Sequence, residues 1–124
     1  MEVLRSTDSV SKGMYWDAMA LGVNGGPNKG WAFSISGTGF GLVGLCVSAK
    51  LGFTTTGAAA GKLRETLTTF DREVWPLCEQ NVFCPHFVMS AGTHLVNAAE
   101  YSTIDTALFV ASAHYAVQCL KPDV

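Results

Sequence analysis

Apolar residues recur along this chain at spacings that predict four helices. Leu63, Leu67, Phe70 and Val74 follow one another at steps of four, three and four, the period of an amphipathic helix. That third helix is expected to begin near Thr56 and to stop before Pro76, because proline disfavours helical backbone in the residue ahead of it. The second is expected from about Thr38 to Leu51, with Leu42, Leu45, Cys46 and Ala49 at helical spacing. The first spans roughly Ser9 to Leu21, with Met14, Ala18 and Leu21 on one face. The fourth runs from about Thr103 to Leu120 and ends at Lys121-Pro122.

Polar and turn-forming residues divide these segments. Asn24 to Gly30 is rich in glycine and asparagine and reads as a loop. Val82 to Met89 and Thr93 to Val96 are apolar stretches on either side of Ser90-Ala91-Gly92, which predicts a short β-hairpin. Pro85 would confine its strand to an edge. Only a few residues around Gly52 join the two middle helices, so these should pack antiparallel. The expected fold class is all-α: about four helices in two α-hairpins, with a short β-hairpin before the last helix. The 124 residues fit a single domain.

Composition changes this picture in one respect. Hydrophobic residues make up 48% of the chain and charged residues only 15%, which excludes disorder but is low in charge for the surface of a small free-standing domain. The chain therefore either covers much of its surface with a partner or forms part of a larger fold. Net charge is −2 and the basic residues are scattered, so no nucleic-acid partner is expected. No apolar run reaches the roughly 18–20 residues of a membrane span, and Met1 to Ser6 lacks a secretory pattern. Neither feature assigns a compartment. Without that pattern the four cysteines are expected as free thiols, with Cys46 and Cys119 as small core residues. Cys78 and Cys84, six residues apart in a loop, would bridge in an oxidising compartment.

Candidate chemistry gathers at the start of the fourth helix. In Glu100-Tyr101-Ser102-Thr103-Ile104-Asp105, Ser102 is a good N-cap and two carboxylates flank the unpaired N–H groups of a helix start. Such acids either cap the helix or present a carboxylate at its rim. Ser36-Gly37-Thr38-Gly39-Phe40-Gly41 lacks the Lys-Ser/Thr of a phosphate loop, so its glycines imply tight packing or a small-residue floor beside a ligand. His86, between Pro85 and Phe87, is either a core histidine or a hydrogen-bonding group for a sugar hydroxyl. Trp31 offers a flat apolar face for a sugar ring. The spacing of the three histidines supports no metal site, and no cofactor is expected.

Taken in order, the Gly-rich segment Ser36–Leu42, then Leu51-Gly52-Phe53-Thr54, then Pro85-His86-Phe87, then the acid-x-Ser-x-Ile-Asp-Thr-Ala-Leu run from Glu100 to Leu108, resemble the bacterial glycoamylase-like domain family. That family is similar to endo-β-1,2-glucanases and to a domain of cyclic β-1,2-glucan synthases. The resemblance covers roughly residues 15–120. It implies an (α/α)6 toroid with a substrate cleft at one end, of which this chain supplies the N-terminal part only. It further implies that Glu100 and Asp105 face the cleft as catalytic acids. Thr38, Gly39, Ser102 and His86, with Trp31 as platform, would bind substrate. The expected partner is an oligosaccharide or β-glucan, together with the missing remainder of the domain or a second copy. Glycoside hydrolysis uses two carboxyl groups flanking the scissile bond, and the resemblance implies that further acids of the cleft lie in the remainder of the domain, so the segment is expected to be weakly active or inactive alone. The alternative is a non-catalytic α-helical module that binds carbohydrate or pairs with another subunit.

Overall fold

The computed structural model describes residues 4–18, 32–80 and 82–121. It is mostly helical, at 54%, with a small three-stranded antiparallel sheet. In chain order the elements are β1 (Phe33–Ser34), α1 (Ile35–Lys50), α2 (Thr56–Thr69), β2 (Phe87–Ala91), β3 (His94–Asn97) and α3 (Thr103–Cys119).

Local chemistry fixes the helix ends. Ser34 caps α1, its hydroxyl accepting from the Gly37 amide at 2.9 Å. At the other end Gly52 takes a positive φ of 77°. Its amide bonds back to the Ala49 carbonyl and the Phe53 amide to Ser48, which closes α1 with a Schellman motif and reverses the chain. Thr55 then caps α2, accepting from the Ala58 amide at 3.1 Å. This short connection makes α1 and α2 the expected antiparallel pair. Past Thr69 the helix widens into a π-turn over Phe70–Val74, then tightens to a 3₁₀ turn over Trp75–Leu77 that holds Pro76 near its start. The third helix is therefore regular for a shorter span than its apolar period suggests. Phe70 and Val74 are nonetheless buried, as that period requires.

A helix over Ser9–Leu21 is corrected where the chain is described. Residues 4–18 form turns and isolated bridges, Arg5 pairing with Tyr15 and Trp16 with Phe33. Gly13 sits at φ 86°, where a helix cannot continue. The hydroxyls of Ser6 and Ser11 bond each other at 2.8 Å, a local alternative to helical bonding. Residues 19–31, including the Asn24–Gly30 loop, lie outside the described residues. The described chain thus has three α-helices rather than four.

The hairpin is present, with its turn at Gly92-Thr93 between the paired residues Ala91 and His94. It gains a third strand: Phe33 pairs with Val88 and Ser34 with Phe87. This makes β2 the central strand, and Pro85 is accommodated because it precedes β2, at a single bridge to Tyr101. An all-α description is corrected accordingly.

α1 and α3 pack side by side. A Cβ on Gly39 would lie 2.9 Å from the Phe109 Cα, and a disulfide joins Cys46 to Cys119 further along. Both contacts advance in the same direction, so α1 and α3 run parallel and start at the same end. Behind them Met14, Phe33, Ile35, Leu42, Leu63 and Val88 form a fully buried core, and the Phe70 and Phe109 rings stack at 3.8 Å.

The cysteines correct the free-thiol expectation. Cys46–Cys119 and Cys78–Cys84 are both disulfides. Packing α1 against α3 brings together two cysteines far apart in sequence, a proximity that spacing does not reveal.

Candidate functional site

The site forms where the first turns of α1 and α3 lie side by side with His86 between them. His86 is held through its backbone. Its amide donates to the Glu100 carbonyl at 2.9 Å, and its carbonyl accepts from Ile35 at 3.2 Å. One residue thereby ties the start of α1 to the segment that leads into α3. Its ring stacks on Phe87 at 3.9 Å and remains partly open to solvent.

The start of α3 is clamped as well. The Ser102 amide donates to the Cys84 carbonyl at 3.0 Å, and the Cys84 amide donates to the Thr106 hydroxyl at 2.9 Å. Ser102 caps the helix, accepting from the Asp105 amide at 3.1 Å while its hydroxyl donates to the Asp105 carboxylate. One hydroxyl thus caps α3 and holds the Asp105 carboxylate, while the Ser102 amide is taken by Cys84. The other carboxylate oxygen faces His86 Nε2 at 3.7 Å.

Asp105 is 8% exposed. Burial works against its charge. Hydroxyl bonds from Ser102 and Ser36, the pull of His86 and its own amide outweigh burial and hold the carboxyl below the ordinary aspartate range. Asp105 is thus an anion at neutral pH, suited to orienting a neighbour or accepting a proton rather than donating one.

The structure therefore brings Ser102, Asp105 and His86 together. Glu100 joins them through its backbone carbonyl, and the residue is exposed at the same rim. Two expected residues leave the set. Thr38 is fully buried, its hydroxyl donating to the Ser34 carbonyl at 2.7 Å and accepting from the Tyr15 amide at 3.1 Å. Gly39 packs against α3, where it allows the helices to approach. Both serve the floor of the site rather than a ligand, because a threonine and a glycine within a helix turn inward with that face. Trp31 lies outside the described residues. Ser36 is the addition. Its hydroxyl reaches Asp105 from α1 and lies 3.3 Å from that of Ser34. The signal was its place two residues after a helix cap in the Gly-rich segment, although only folding sets it beside α3.

A separate cavity of about 370 Å³ is lined by Ser9, Lys12, Gly61, Arg64, Glu65, Thr68, Thr69 and Arg72. It shares no residue with the His86–Asp105 site, and we place the candidate chemistry at the rim because the convergent hydroxyls, ring and carboxylate are there. Glu65 in that cavity is held below the usual glutamate range, chiefly by its bond to Lys12 and further by Arg5, against a burial effect in the other direction. Among the described residues no three histidine, cysteine or acidic side chains cluster to hold a metal, and no helix is long and apolar enough to cross a membrane. Set against family models, curated proteins and solved structures, the chain finds no match.

Proposed function

We propose that this chain is a glycoside-hydrolase-like segment whose α1–α3 rim forms part of a β-glucan cleft, the helices being an arc of an (α/α)6 ring. The observation that supports this reading is the pairing of His86 and Asp105 at 3.7 Å at the shared start of two parallel helices. Sequence segments singled out separately supply these groups, and the carboxylate is kept ionised by hydroxyls from both helices. In this role His86, the more open of the two, hydrogen-bonds a sugar hydroxyl. Asp105 orients the imidazole or activates water, and Glu100 is the second carboxyl at the rim. Hydrolysis needs one carboxyl to donate a proton to the leaving oxygen. Asp105, ionised, is not that group.

A second reading, a carbohydrate-binding module without turnover, is favoured by the burial of Asp105 and by the hydroxyls already bonded to it. Calorimetric titration with β-1,2-gluco-oligosaccharides, run beside a reducing-sugar assay, separates the two. The first reading predicts binding and, from an incomplete cleft, only weak product formation, both reduced at least tenfold by His86→Ala and Asp105→Asn. Binding without product supports the second. Absence of binding to the folded protein sinks both.

A further inference from the structure

A helix that covers one side of a core normally turns charged residues to solvent on its other side. α1 and α3 do not. Their only Asp, Glu, Lys or Arg residues are Lys50, at the end of α1, and Asp105, which is buried. Their outward faces are largely apolar instead, with Thr103, His114 and Gln118 as the exposed polar side chains of α3. Phe40 and Val47 on α1 and Leu51 at its C-cap are 54%, 46% and 65% exposed, and Ile104, Val110 and Tyr115 on α3 are 71%, 58% and 52% exposed. Because the two helices lie parallel and in contact, Phe40, Val47 and Leu51 share the outer side of one two-helix layer with Ile104 and Tyr115, while Val110, about 140° round α3 from Tyr115, lies toward its other edge. Single exposed apolar residues need no explanation, but a contiguous patch of this kind marks an interaction surface.

We propose that the outer face of the α1–α3 layer is a self-association surface, occupied by the same face of a second copy of this chain. Size is the first argument. A 17-residue helix is about 25 Å long, and two packed helices are about 20 Å across. The footprint is then about 500 Å² per copy, and a pair of such faces reaches the roughly 1,000 Å² that separates specific interfaces from incidental ones. Charge is the second. A two-fold interface sets each patch against itself, so any charge near its centre meets its own image. Here no Asp, Glu, Lys or Arg lies near the centre, and His114 is the exposed titratable side chain on that side of α3. In an antiparallel arrangement the two Lys50 residues stand at opposite ends, about 25 Å apart, well beyond the screening length of about 8 Å at physiological salt. Four helices then enclose a second apolar core, as in an antiparallel bundle. This inference stands independently of the glucan reading.

Sedimentation equilibrium of the intact chain tests it, compared with Val47→Glu and with the double variant Val47→Glu/Tyr115→Glu. Both positions are exposed, so circular dichroism should show the same helical content in all three proteins. The expected result is a discrete dimer for the parent chain, weakened at least tenfold by the single change and monomeric in the double variant. A chain that stays monomeric at 100 µM, that forms only polydisperse aggregate, or whose dimer survives both substitutions overturns the proposal. A monomer that floats with neutral phosphatidylcholine vesicles also overturns it and assigns the face to lipid.

Discussion

The Asp105 carboxylate stands 3.7 Å from the ring nitrogen of His86, and Ser102 holds it there while capping the same helix. Ser102 thus satisfies an amide at the start of α3 and also stabilises the ionised carboxyl. Removing an N-cap hydroxyl typically costs about 1 kcal/mol. Ser102→Ala should therefore lower the unfolding free energy by about 1 kcal/mol in urea titrations. Thr103→Ala, at the exposed neighbouring position, should stay within about 0.5 kcal/mol of the parent. Equal effects at the two positions would show that the cap contributes nothing particular.

Stability should fall in acid, and the sign follows from the two lowered carboxyls. Asp105 and Glu65 both hold their protons less tightly in the folded chain than at their ordinary values of 3.8 and 4.5. A group with a depressed folded pKa contributes stability that is fully present above its unfolded value. That stability is lost as pH drops through the folded value. Urea midpoints should therefore hold steady from pH 7 to about 5 and decline below about 4. Asp105→Asn should flatten part of that decline, since an amide does not titrate. A decline equally steep in the variant would show that Asp105 makes no such contribution.

Glycines in these helices should respond in opposite directions. A Cβ at Gly39 meets the α3 backbone at 2.9 Å, where only a shift of one helix can relieve it. Gly39→Ala should destabilise by about 1–3 kcal/mol, as overpacking does. At Gly61, inside α2, a Cβ meets nothing within 4 Å. There alanine removes unfolded-state freedom and favours helix, so Gly61→Ala should stabilise by about 0.5–1 kcal/mol. Denaturation of both variants checks the pair. A neutral Gly39→Ala would mean that α1 and α3 are not in close contact.

What could be read from the residues was local. The apolar steps through Leu63, Leu67 and Phe70 marked α2, and Ser102 with its following apolar run marked α3 to within a residue. Gly92, at φ 73°, falls in the turn of the expected hairpin. The failures were at places decided by distant partners or by one backbone angle. Met14 lay on the face of an expected helix, yet Gly13 turns that segment back and Tyr15 pairs with Arg5 instead. Strand β1 has two residues and no alternation to reveal it; it exists because Phe33 and Ser34 meet Val88 and Phe87. Thr38 carried the chemistry of a binding hydroxyl, and only the fold shows that hydroxyl spent on Ser34 and Tyr15. His86 and Asp105 were singled out from separate segments, but the contact between them depends on α1 and α3 starting at the same end.

The two disulfides should differ in what they protect. Cys46–Cys119 closes a loop with a sequence separation of 73, Cys78–Cys84 one of only six. In the chain-entropy account the longer closure is worth about 4 kcal/mol and the shorter about 2 kcal/mol at 25 °C. Cys46→Ala/Cys119→Ala should therefore cost more global stability than Cys78→Ala/Cys84→Ala when both are unfolded in urea. The order should reverse at the rim. Cys84 accepts from the Ser102 amide and donates to Thr106, so releasing it from Cys78 loosens the start of α3 directly. Amide hydrogen exchange should accelerate at Cys84 and Ser102 in the Cys78→Ala/Cys84→Ala protein, well before the core amides of α1 respond. In the Cys46→Ala/Cys119→Ala protein exchange should instead rise across the helices together, because there the loss is global. Unchanged protection at Ser102 after the short bridge is removed would show that hydrogen bonding alone fixes the rim, without help from the disulfide.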